Sequence, residues 1–198
     1  MFSRKDLKIA AKEQIKGNVG VFFGLSVIWG IIFFLSSFTV IGPLFLYGAM
    51  TLGYALFIIE VVRTKNGKLE TGFNGFKQYG SSFVATLLIG IFTFLWSILF
   101  VIPGIIASFR YSMTYFILAD NPKMSGLAAI KKSKEMMKGH KWDLFILLFS
   151  FFWWYLLGVV TLGLAYIYVY PYVIATVANF YEKIKDEQKS LEEDKCIE

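Results

Sequence analysis

Residues 17–59 read GNVGVFFGLSVIWGIIFFLSSFTVIGPLFLYGAMTLGYALFII, 43 positions without an Asp, Glu, Lys or Arg. Bilayer hydrocarbon is about 30 Å thick and takes ~20 helical residues to cross. The stretch is therefore long enough for two crossings, joined near Gly42 and Pro43. Two more uncharged stretches follow, residues 78–109 and 144–181, 32 and 38 positions long. Of the 198 residues, 57% are hydrophobic and 17% charged. Soluble domains run near 45–50% and about 25%, so this is not the balance of a water-soluble globule.

The uncharged blocks predict six spanning helices, at about 19–41, 43–62, 83–102, 104–119, 142–161 and 163–181. Short uncharged turns at 41–43, 102–104 and 161–163 pair them into three hairpins, with proline and glycine where turn chemistry wants them. The other connections are charged and mostly basic. By the positive-inside rule both termini and the loops near 63–80 and 120–141 are cytoplasmic, and the three turns lie outside. The first apolar run has no small-residue cleavage site after it and is expected to stay as an anchor. Segment 104–119 is short for a crossing, and Pro171 is expected to kink the sixth helix. The tail over 183–198 is acidic and polar, expected as frayed helix and then disorder.

Two amphipathic helices complete the expected fold. Residues 2–16 place Ser3 and Asp6 as a capping box, Phe2 and Leu7 as a hydrophobic staple, and Leu7, Ala11 and Ile15 as an apolar stripe that Gly17 ends. Residues 125–139 put Lys131, Lys134 and Lys138 on one face, with Ile130, Met136 and Met137 for apolar contact. Both helices are expected to lie on anionic headgroups, through Lys12 and Lys16 in the first and the three lysines in the second. The second also suits docking of a cytoplasmic protein. The net charge of +6 is concentrated in lysines beside apolar spans, which points to membrane lipids rather than nucleic acid. The fold class is thus an all-α membrane protein: six transmembrane helices in three hairpins plus two interfacial helices, one domain over 1–182.

An internal repeat appears at an offset of 122, where Lys12-Glu13-x-x-Lys16-Gly17 recurs as Lys134-Glu135-x-x-Lys138-Gly139 and Glu60 meets Glu182. Hairpins one and three then read as equivalent units in parallel orientation, unlike the inverted repeats of many transporters.

SRKDLKIAAKEQIKGNVG (3–20), GPLFLYGAMTLGYALF (42–57), LFVIPGIIASFRYSMTYFILADNP (99–122), AIKKSKEMMKGHKW (129–142) and PYVIATVANFYE (171–182) together resemble a family of bacterial integral membrane proteins, domain of unknown function 975. The resemblance spans roughly residues 3 to 182. It implies a multi-helix protein of the bacterial cytoplasmic membrane without an assigned activity. It is distantly similar to membrane domains attached to some glycerophosphodiester phosphodiesterases, which hints at lipids and transfers no catalytic residue.

Arg110 is the one charge well inside an apolar span. On a straight helix it lies ~9 Å below the outer end and ~15 Å above the inner end. Such a residue snorkels to headgroups, pairs with internal carbonyls, hydroxyls or aromatic faces, or meets an anionic ligand. Thr114, Tyr111, Tyr170 and Tyr172 are its candidate companions in a ligand site. Gly104, Ser108 and Ser112 form a small-residue stripe, and Gly20, Gly24, Ser26 and Gly30 another, both read as helix-packing faces within the chain, with homo-oligomerisation as the alternative. Glu60 and Glu182 read as a cation pair site or as solvated or paired acids. The single Cys196 and single His140 fit no disulfide or metal pattern, and no phosphate loop or nucleophile elbow occurs. The expectation is a non-enzymatic protein without metal or cofactor, binding lipid or an anionic amphiphile as an accessory or regulator of an envelope or transport system. A small carrier or channel is the alternative, an intramembrane enzyme the third.

Overall fold

The computed structural model describes residues 4–38, 42–99 and 101–197, and among them it is all-helical. The first unit comprises α1 (Arg4–Ile15), α2 (Val19–Ser36) and α3 (Gly42–Thr64). The second comprises α4 (Leu69–Phe73), a 3₁₀ turn (Asn74–Gln78), α5 (Tyr79–Leu99), α6 (Val101–Tyr111) and α7 (Thr114–Asp120). The third comprises α8 (Gly126–Met136), α9 (Lys141–Phe149), α10 (Phe152–Val160) and α11 (Tyr166–Ile197). The expected cap and staple of the first helix involve residues 2 and 3, outside the described residues.

Among the described residues, four stretches are long and apolar enough to cross a membrane: Val19–Ser36, Phe45–Thr64, Leu69–Ser97 and Lys141–Val160. They correspond to the first, second, third and fifth expected spans. The fourth expected span is broken at Ser112 and Met113, where the Ser112 and Thr114 hydroxyls bond the carbonyls of Phe109 and Tyr111. Hydroxyls that compete for backbone carbonyls loosen a helix at such a place. The sixth becomes the start of α11, where tyrosines and Pro171 stand in for aliphatic residues and lower the hydropathy. Helix α11 then continues unbroken to Ile197, so the acidic tail is helix as far as it is described. Its Glu, Lys and Gln residues are good helix formers.

Burial divides the molecule into two ends. Near the charged ends of the helices, α1, α7 and α8 pack with α3, α5 and α11 around fully buried Ile15, Phe57, Ile117, Phe180 and Ile184. Toward the other end the helices expose large apolar side chains, among them Phe34, Trp96, Trp153 and Leu162. An apolar surface of this extent calls for lipid or a partner to cover it.

Three expectations about packing change. Helix α1 does not lay its stripe on a lipid surface. Leu7, Ala11 and Ile15 are buried against the protein, chiefly against α11. An amide pair fixes that contact: Gln14 Nε2 donates to Asn179 Oδ1 at 3.1 Å, and Asn179 Nδ2 donates to Gln14 Oε1 at 2.6 Å. The connector over 65–78 is no free loop. It folds back along α3, and a Cβ on Gly53 would lie 1.8 Å from the Gly72 carbonyl oxygen. Asn18 secures its start by donating to Lys65 O at 2.9 Å and accepting from Gly67 N at 3.1 Å. Finally, a Cβ on Gly20, Gly24 or Gly30 would meet nothing within 4 Å, so these glycines make no close intrachain seam, while Ser26 of the same stripe does reach Tyr54 of α3. Gly104 does pack closely, on Ser97 of α5.

The offset of 122 recurs in three dimensions. Gly17 and Gly139 end α1 and α8 at φ values of +102° and +87°, a region that disfavours residues with a Cβ. Buried Leu7, Ala11, Gln14 and Ile15 correspond to buried Ala129, Ser133, Met136 and Met137. Buried Phe22, Leu25 and Trp29 correspond to buried Leu144, Leu147 and Phe151. Matching burial along two stretches is stronger evidence of equivalent units than matching letters in apolar sequence.

Candidate functional site

Helices α2 and α3 touch only lightly, because the folded-back connector is wedged on one side of them. Trp29 of α2 stacks on Phe73 and Phe76 of that connector at ring-centroid distances of 5.2 and 5.7 Å. On the other side a cavity of about 770 Å³ opens between α2, α3, the α6–α7 break and α11. That volume lies within the range of small-molecule sites, roughly 300–1,000 Å³. Among the described residues, no Asp, Glu, Lys or Arg lines it.

Five tyrosines give the cavity its polar character: Tyr47, Tyr54, Tyr115, Tyr166 and Tyr170. Tyr54 and Tyr170 meet edge to face at 5.5 Å. Tyr54 OH lies 2.6 Å from Ser26 Oγ, Tyr115 OH lies 2.7 Å from Thr86 Oγ1, and Tyr166 OH donates to Tyr155 O at 3.1 Å. Pro171 is buried in the wall and removes the amide that would otherwise bond the Ile167 carbonyl.

Below the cavity, three of the helices that wall it, α3, α7 and α11, are tied by charge. Arg63 of α3 donates through Nη2 to both Asp120 oxygens at 2.7 and 3.0 Å. Its Nε and Nη2 donate to Glu182 Oε1 of α11 at 2.9 and 2.6 Å. Tyr181 OH donates to Asp120 Oδ2 at 2.9 Å, and Lys185 Nζ bonds the same oxygen. Phe116 stacks on Tyr181 at 5.5 Å and links this cluster to the cavity floor. Burial alone would raise the Asp120 carboxyl. Hydrogen bonds from Lys185, Tyr181 and Arg63, with the Arg63 charge, hold it below its ordinary value. Arg63 and Lys185 are themselves related by the offset of 122, so two equivalent cations converge on one acid.

Of the ligand residues expected from sequence, the cavity takes Tyr170. Tyr172 packs instead on Phe151 and Trp154. Thr114 is buried with its hydroxyl on Tyr111 O, and Tyr111 is buried beside Phe92. Arg110 sits near the end of α6, its carbonyl accepting from Ser133 Oγ of the basic helix α8 at 2.9 Å. The broken helix thus brings Arg110 to the lysine-bearing elbow, not midway along a straight span, and it does not line the cavity. Lys12, Lys16, Lys131, Lys134 and Lys138 are all exposed. Glu60 and Glu182 do not share a site: Glu60 accepts from the Lys68 amide at 3.2 Å while Glu182 pairs with Arg63. Among the described residues no group of His, Cys, Asp and Glu is arranged to hold a metal ion.

Sequence reading missed Arg63, Asp120 and the wall formed by Tyr47 and Tyr54, and took Ser26 only for a packing residue. The repeat offers the one signal that reached toward them, since it pairs Arg63 with Lys185.

Among the described residues, the fold and cavity define an all-helical protein with four stretches of membrane-crossing length and an open cavity whose lining carries no Asp, Glu, Lys or Arg. Its sequence matches the family described as Protein of unknown function (DUF975) over residues 1–107 and 98–188, and the chain belongs to that family. No curated protein and no solved structure matches it.

Proposed function

We propose that this is a non-enzymatic protein of the bacterial cytoplasmic membrane that binds lipid or a similar amphiphile, as an accessory or regulatory part of an envelope or transport system. The observation that carries the reading is the cavity of about 770 Å³, lined without charge among the described residues, between helices whose outer surfaces are apolar. Such a lining suits an acyl chain. Anionic headgroups would find their counter-charge outside it, on the exposed Lys12, Lys16, Lys131, Lys134 and Lys138. In this reading the charged end, with both termini, faces the cytoplasm. The same lysines would serve a cytoplasmic protein partner. A carrier is the second reading, favoured by Pro171, whose missing amide gives the cavity wall a place to bend.

Gentle native purification followed by mass spectrometry of bound lipid tests the first reading. Retention of a defined lipid is expected, with Val27→Trp, which places an indole at the cavity edge, reducing it severalfold. Lipid no different from bulk membrane, and unchanged by Val27→Trp, refutes the assignment. Flux of a solute in proteoliposomes would move the balance to the carrier.

A further inference from the structure

A second cleft, of about 470 Å³, lies between α6 and the start of α9. It shares no lining residue with the cavity walled by α2, α3 and α11. Ile105, Ile106 and Phe109 come from α6, Lys141, Trp142 and Phe145 from α9, and Gly139 from the elbow that joins α8 to α9. Phe109 meets Phe145 edge to face at 6.0 Å, and Trp142 meets Phe145 at 5.5 Å. Ile105, Ile106, Trp142 and Phe145 are all exposed, so the cleft is open along its side.

The cleft has a basic end and an apolar end. The Arg110 carbonyl accepts from Ser133 Oγ of α8 at 2.9 Å, which sets the last turn of α6 beside the elbow. Ile105 and Ile106 lie about one helical turn back from it. Lys141 stands at the elbow, where the apolar stretch Lys141–Val160 begins. In a membrane that is the boundary of water and hydrocarbon, a depth that also suits Trp142. Arg110 brings a second positive charge to this end. Among the described residues neither cation has an acid within ion-pairing distance. Asp143, two positions beyond Lys141, instead lies 3.7 Å from His140 Nδ1.

The elbow does not need this lysine. At the offset of 122, Val19 stands where Lys141 does, and Gly17 makes the same positive-φ turn as Gly139 without a charge beside it. A Cβ on Gly139 would meet nothing within 4 Å, so there is open space next to Lys141. An unpaired ammonium at one end of an otherwise apolar cleft complements an amphiphile with an anionic head.

We propose that the α6–α9 cleft binds an anionic phospholipid of the cytoplasmic leaflet, with one acyl chain along Phe109, Ile105 and Ile106 and its phosphate on Lys141. This rests on the orientation given above, charged end toward the cytoplasm, and not on the cavity. A soluble phosphate would leave the apolar end unfilled, and a neutral hydrocarbon would leave Lys141 unmatched. The second chain stays in the bilayer, which the open side of the cleft permits.

Phosphatidylglycerol and phosphatidylcholine of identical chains, each titrated into the full chain in detergent and counted by native mass spectrometry, test this. Wild type is expected to bind one phosphatidylglycerol about five-fold more tightly than phosphatidylcholine, the increment of one lysine near an anionic surface. Lys141→Gln should erase that preference, and Lys141→Arg should keep it. Lys189→Gln, which removes the same charge from an exposed position on the tail of α11, should keep it too. Ile105→Trp, which fills the apolar end, should weaken both lipids severalfold; if that variant does not fold, the lysine variants decide. Equal binding of the two lipids by wild type, binding of neither, or a preference that survives Lys141→Gln overturns the proposal. A preference lost in Val27→Trp and kept in Lys141→Gln also overturns it, and puts the lipid in the cavity instead.

Discussion

Asp120→Asn is the most informative single change, because Asp120 is where α3, α7 and α11 are tied together. Its side chain is 8% exposed, whereas those of Arg63 and Lys185 are 42% and 27% exposed. A hydrogen bond to a charged partner contributes roughly 1.5–3 kcal/mol net. Two charged donors would give about 3–6 kcal/mol if buried, and the exposure of both cations reduces that toward ~2–3 kcal/mol. Asparagine keeps the size and loses the charge, and its amide N–H groups face cations. For a chain of this length each kcal/mol moves Tm by about 2–4 °C, so a fall of about 6 °C in detergent is expected. The pH profile carries the sign. The folded carboxyl lies below its ordinary value, near ~3.9 for a free Asp. Its stabilisation is therefore fully present above that ordinary value and is lost as pH falls through the lower folded value. Wild type should steepen its loss of Tm in that acid range, and Asp120→Asn should flatten it. A fall below ~1 °C, or one no larger than for exposed Lys132→Gln, would show that the cluster does not hold the three helices. A double-mutant cycle with Lys185→Gln should give a coupling of about 1 kcal/mol.

Two further outcomes follow from packing and charge. Gly53→Ala should be poorly expressed or lose more than ~2 kcal/mol, since its Cβ would meet the Gly72 carbonyl at 1.8 Å. Gly20→Ala, with nothing within 4 Å, should be neutral or gain up to ~1 kcal/mol of helix propensity; thermal scans that rank the two the other way would contradict the folded-back connector. Changing Lys131, Lys134 and Lys138 together to Glu should leave membrane insertion intact and cut co-purified anionic lipid, each lysine being worth ~1 kcal/mol near an anionic surface. An unchanged lipid ratio would leave those side chains no headgroup role.

The sequence by itself settled the helical class, most helix positions and the two basic elements, because hydropathy and charge are properties of the local chain. The turn at 161–163 and the glycine ends at Gly17 and Gly139 were equally legible, since backbone geometry there depends on the residue present. The repeat was visible in a few charged letters. Its force came from burial that no letter shows. What only tertiary structure decided was which faces meet. Leu7, Ala11 and Ile15 form the same stripe whether they cover lipid or α11, and Gly20 and Gly53 look alike until one is seen to face open space and the other a carbonyl. Arg110 stood out as a lone charge in apolar sequence. The cation that ties the helices is Arg63, which looked like ordinary loop charge until Asp120 and Glu182, 57 and 119 residues away, were brought to it. The cavity belongs to the same class: an empty volume arises from how helices diverge, which no single stretch of the chain records.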